Sequence, residues 1–192
     1  IEAWFKATES ALGTPGILVT NTGGPPAGSV GEMTPAQWVK GFENTVLNVV
    51  RLTALASPGM KKAGWGRIVH ITSLVAKDPD PLIAISSTLR AGLSAMSRLQ
   101  ARELGPYGIT VNCVLPGGTD TDRQTHLLGL RAKQSGRSAA EERRLAAAAV
   151  PVGRLAKPEE IGDVVAFLCS ERAGYVSGAQ VVVDGALTRG MG

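Results

Sequence analysis

The chain has 192 residues, 44% of them hydrophobic, with 24 glycines and a formal net charge of +4 at pH 7. That length buries one sizeable core, so one domain over 1–192 is expected, and the glycine content suits a fold with many strand-to-helix turns. Dispersed basic residues with only 4% aromatics argue against a nucleic-acid surface. No uninterrupted apolar run reaches about 18 residues, which argues against a membrane span. Cys113 and Cys169 lack metal-ligand spacing and read as small buried hydrophobes, so no metal is expected and a reducing, cytoplasmic setting fits.

Taken in order, Ile1 to Leu12 reads as a helix with Trp4, Phe5 and Leu12 apolar, and residues 16–20 read as a strand. Asn21-Thr22-Gly23-Gly24 follows as a tight turn. Thr34-Pro35-Ala36-Gln37 has the form of a helix start, with a threonine cap, proline at the first position and glutamine three residues on. That helix is predicted to run to about Ser57. Its run of Val46, Leu47, Val49, Val50 and Leu52 is too continuous for one wet face, which points either to a subunit contact or to burial against the sheet.

A short apolar strand over 66–72 delivers Ser73 at its carboxyl end, where open α/β sheets bind their ligands. Helical spacing of Leu89, Leu93, Met96 and Leu99 continues to Leu104. A strand over 109–115 ends at Pro116-Gly117. The charged, alanine-rich stretch 123–150 reads as helices, Pro158-Glu159-Glu160 opens another helix, and 179–183 reads as the last strand. Apolar runs alternating with helical periods predict an α/β fold, a parallel sheet with helices on both faces.

Several ordered landmarks resemble the short-chain dehydrogenase/reductase family, and most closely its 3-oxoacyl carrier-protein reductases: Asn21-Thr22-Gly23-Gly24, Gly66-Arg67-Ile68, Ser73, Glu103 through Asn112, and Pro116-Gly117. The resemblance implies a Rossmann-like, doubly wound sheet. It also implies that a full relative begins roughly sixty residues earlier with a Gly-rich pyrophosphate turn, a stretch expected to be missing from this sequence.

Four catalytic positions carry over by register. The serine is Ser73; the tyrosine position, thirteen residues on, is Ser86; the lysine position is Arg90; and the asparagine position is Thr45. Only Ser73 matches. The resemblance assigns cofactor contacts to Asn21, Gly23, Gly24, Arg90, Pro116, Gly117 and Thr121, with NAD and NADP not distinguished, and makes 123–150 a substrate lid. It implies a homotetramer or homodimer acting on a small carbonyl or alcohol. A serine is a far poorer proton relay than a phenol of pKa about 10, and arginine, with a pKa above about 12, relays no proton. For Ser86, a helix cap or first-turn role weighs against catalysis. Two readings therefore stand: an NAD(P)-dependent oxidoreductase with a rebuilt relay, and an impaired family member serving nucleotide binding or assembly. Nearby substitutes for the relay are His70, which strand alternation points away from Ser73, and Lys77 or Asp78.

Overall fold

Four apolar runs pair as one parallel sheet in the computed structural model, which describes residues 1–189. The strands are β1 (Ile17–Asn21), β2 (Gly66–Ile71), β3 (Ile109–Pro116) and β4 (Gln180–Val183), in the order β1-β2-β3-β4. Register aligns Val19 with Val69 and Ile68 with Val111, so side chains of each strand alternate between two covered faces. On one face Ile68, Ile109 and Val111 pack with Phe5, Ala56, Met60, Ala101 and Leu104; on the other, Val69 and Val114 pack with Ile161, Leu168 and Ala173. This is the α/β, Rossmann-like architecture the alternation predicts.

The helices α1 (Glu2–Leu12), α2 (Pro35–Phe42), α3 (Asn48–Ala63) and α4 (Ala84–Leu104) precede β3; α5 (Asp122–Ser135), α6 (Ala139–Ala149) and α7 (Pro158–Cys169) follow it. α1, α3 and α4 supply the first face and α7 the second. Because strand order runs monotonically, the connection through α7 has the opposite hand to the two before it. Such reversals are rare in parallel sheets.

The structure refines one local reading and corrects two. In α1 only Phe5 is buried, while Trp4 is 63% and Leu12 85% exposed. The second helix does not end at Ser57. It passes Pro58 and stops at Ala63, where Gly64 in the left-handed region closes it. Between α2 and α3 lies a π-turn over Glu43–Leu47, which interrupts what the sequence presents as one helix. The capping box at Thr34 forms as expected, with Thr34 Oγ1 accepting from Gln37 N and Gln37 Oε1 accepting from Thr34 N. None of the described helices is long and apolar enough to cross a membrane.

Candidate active site

The carboxyl ends of β1, β2 and β3 open into a cavity of about 730 Å³, within the range of small-ligand sites. Of the residues expected there, it brings together Asn21, Gly23, Gly24, Ser73, Ser86, Arg90, Pro116, Gly117 and Thr121. Thr45 is not among the lining residues. It sits wholly buried in the π-turn with its Oγ1 unpartnered. Its neighbours Asn44 and Asn48 line a second hollow of about 510 Å³ beside β1, and Asn48 Nδ2 donates to Asn44 O at 2.9 Å. π-turns are frequent at functional sites, so the backbone irregularity marks this position more clearly than the residue does.

Ser73 leaves β2 in an extended conformation and caps the short 3₁₀ turn Leu74–Ala76, its Oγ accepting from Val75 N at 3.3 Å. Ser86 is the third residue of α4, in its first turn but not its cap. Its Oγ accepts from Arg90 Nε at 3.1 Å. One helical turn separates the two residues, the spacing that stacks side chains on one face.

Arg90 is almost fully buried and spans the strand ends. Nη1 donates to Thr72 O at 2.6 Å and Ile71 O at 3.2 Å, and Nη2 to Thr22 O at 3.3 Å. A guanidinium has five N–H donors, so one on Nη2 remains for a ligand. Burial, together with the nearby charge of Arg123, lowers its pKa to about 10. It therefore stays charged near neutral pH.

The substitutes for a relay do not reach the cavity. His70 points to the α4 face, where Nε2 lies 2.9 Å from Gln100 Oε1 and Nδ1 2.8 Å from Thr20 Oγ1. Since Gln100 Oε1 only accepts, Nε2 carries the proton and Nδ1 accepts from the threonine. Lys77 and Asp78 lie in the following loop, and neither lines the cavity.

On the opposite wall Gly117 passes so close to the bend after β4 that a Cβ there would lie 2.7 Å from that of Asp184, which excludes any larger residue. Thr121 caps α5, Oγ1 accepting from Gln124 N at 3.3 Å. The sequence reading missed two residues. Thr22 lines the cavity with a buried Oγ1 that has no partner. Arg123 reaches from α5 across the opening, its guanidinium over Gly24 and its Nη2 donating to Pro25 O at 3.0 Å. A signal for Arg123 existed: a cation in a helix's first turn opposes the helix dipole and calls for a reason.

A glycine turn after β1, a Pro-Gly fork after β3 and a serine after β2 converge on the carboxyl ends of parallel strands, the place where open α/β folds of the dinucleotide-binding class take their ligands. The family model described as enoyl-(acyl carrier protein) reductase matches residues 1–188. The 3-oxoacyl-acyl-carrier-protein reductase of Pseudomonas aeruginosa is 34% identical over 97% of this chain and 71% of its own length. Its Vibrio cholerae counterpart is 33% identical over 97% and 72%. Among solved structures, an actinorhodin polyketide ketoreductase with NADPH superposes with a TM-score of 0.94 at 30% identity, covering 98% of this chain and 73% of that one. An L-sorbose reductase from Gluconobacter frateurii, complexed with NADPH and L-sorbose, does so at 0.91 and 31%, covering 99% and 73%. The chain belongs to the short-chain dehydrogenase/reductase family. Within it, the sequence is 3-oxoacyl-acyl-carrier-protein reductase-like.

Proposed function

We propose that the protein is an NAD- or NADP-dependent oxidoreductase acting on a small carbonyl or alcohol substrate held in the β-end cavity. The observation that carries this is the convergence of the Asn21–Gly24 turn, the Pro116-Gly117 fork and the Ser73–Ser86–Arg90 cluster around one cavity. The open space at Gly23 and the unpartnered Thr22 Oγ1 fit a polar ligand lying along the strand ends. Asn21, Gly23, Gly24, Pro116, Gly117 and Thr121 hold the dinucleotide, and the spare N–H of Arg90 reaches a ribose hydroxyl. When bound, the dinucleotide supplies or takes up the hydride. Ser73 Oγ–H donates to the substrate oxygen while its lone pair keeps the bond from Val75 N. Ser86, fixed by Arg90 Nε, presents its hydroxyl proton to the same region. Helices α5 and α6, packed on one another, form the substrate lid over 123–150, and the chain works as a homodimer or homotetramer in the cytoplasm.

A second reading has its own observation: the ionisable residues lining the cavity are Arg90 and Arg123, and neither exchanges a proton near neutral pH. On this reading the protein binds nucleotide, or assembles, without turnover. Titration with NADH and NADPH, followed by nicotinamide fluorescence, tests the first step, and absence of binding to both would remove the oxidoreductase reading. Where binding is found, the triple change Thr45→Asn, Ser86→Tyr, Arg90→Lys is expected to raise ketone reduction by about 10²- to 10⁴-fold, the usual contribution of a positioned acid/base. A strong native rate that this change abolishes would show a site rebuilt for different chemistry.

A further inference from the structure

The geometry points to a short oxo- or hydroxy-carboxylate as the ligand of this cavity, its carboxylate gripped by the free N–H groups of Arg123 beside the positive charge of Arg90. This rests on the proposed function and names its substrate class. Charge leads the argument. Every formally charged residue lining the cavity is an arginine, and among the described residues no carboxylate pairs with either. The acids on the bordering loops are committed elsewhere. Asp80 pairs with Arg131 and Asp120 with Arg143, and Asp184 accepts from Ala186 N, Thr188 N and Thr188 Oγ1. Asp122, at the start of α5, is exposed.

Both guanidiniums line one cavity, burial disfavours the charge of each, and Arg123 adds its repulsion at Arg90, an arrangement that an anion relieves. Donor capacity agrees. Arg123 spends Nη2 on Pro25 O, which leaves other N–H groups of its fork for a carboxylate, and Thr22 Oγ1 on the same wall lacks a partner. The rest of the cavity sets the ligand's body. Ile83, Leu127 and Ile161 give it apolar walls, and Ser73 and Ser86 provide hydroxyls for a carbonyl or alcohol oxygen. A compact molecule with one anionic end and one reducible or oxidisable oxygen satisfies all three groups.

The test uses the full chain and calorimetric titration with 4-oxopentanoate and its methyl ester, a pair that keeps the ketone and removes the charge. The acid is expected to bind about ten- to hundredfold more tightly, the scale of a charge-assisted pair out of bulk water. Arg123→Gln is expected to erase that difference and Arg123→Lys to keep part of it, with melting curves confirming that both variants fold. Equal binding of acid and ester by the wild type, a comparison that stands whatever the variants do, overturns the proposal. So does a preference that survives Arg123→Gln. Inorganic pyrophosphate is titrated alongside: if its binding responds to Arg123→Gln and the acid–ester difference does not, the guanidinium serves dinucleotide phosphates and the proposal is overturned. NADPH titration in parallel separates the two claims, since its failure strikes the oxidoreductase reading and leaves the acid–ester comparison to judge this one.

Discussion

Arg90 does at one position what a lysine cannot do in the same way: its planar fork satisfies three backbone carbonyls at two strand ends and still orients Ser86. Arg90→Ala strands the carbonyls of Thr22, Ile71 and Thr72. Urea unfolding is expected to show a loss of about 2 kcal/mol or more, the cost of buried acceptors left without donors. Arg90→Lys, with three donors, should lose less. His70 makes a different kind of contribution. Burial pushes its pKa below the ordinary value of about 6.5, partly opposed by the bond to Gln100. The unfolded chain therefore takes up a proton as pH falls through about 6.5 while the folded chain does not, so this contribution is complete above that pH and is lost below it. Melting temperature should drop between about pH 7 and pH 5, and His70→Gln should flatten the drop even where it lowers the whole curve. An unchanged pH slope in the variant would refute that role.

At the scale of elements, the strands were legible because each is an apolar run bounded by glycine or proline, and buried parallel strands leave that trace in any sequence. Ser73, Ser86 and Arg90 were placed by counting, and all three meet in the cavity. What stayed hidden was set by contacts. Arg123 is a surface-type residue in a charged helix until the fold lays it over Gly24, and the burial of Phe5 but not Trp4 depends on which side of α1 meets the sheet. The π-turn leaves no compositional mark. One link between elements is testable: Asp80, in the loop between β2 and α4, pairs with Arg131 of α5 and accepts from Leu82 N. Breaking it in Asp80→Asn should raise amide exchange across 122–135 while sparing α4. Uniform protection in both proteins would mean the pair does not hold that helix.

Across the whole molecule, the large apolar side chains left exposed include Val39, Phe42 and Val50 on the α2–α3 segment and Leu99 on α4, the last at 65%. Exposure of that kind suits a second copy of the chain. Sedimentation is expected to find a dimer or tetramer at micromolar concentration, and Leu99→Glu to shift it toward monomer; a wild-type monomer would remove the assembly claim. The π-turn has a consequence for this surface. Each residue advances an α-helix by about 100°, so one extra residue in a turn acts as a phase shift between the two halves of a rod. Val49, Thr53, Ala56 and Met60 face the core at an angle that the α2 half, extended regularly, would not give them. Losing one residue within 43–47 would yield a smoother helix and rotate that buried stripe by about a quarter turn toward water. The irregularity is thus a setting, and the segment keeps its inner and outer faces only while the count of residues through it is held.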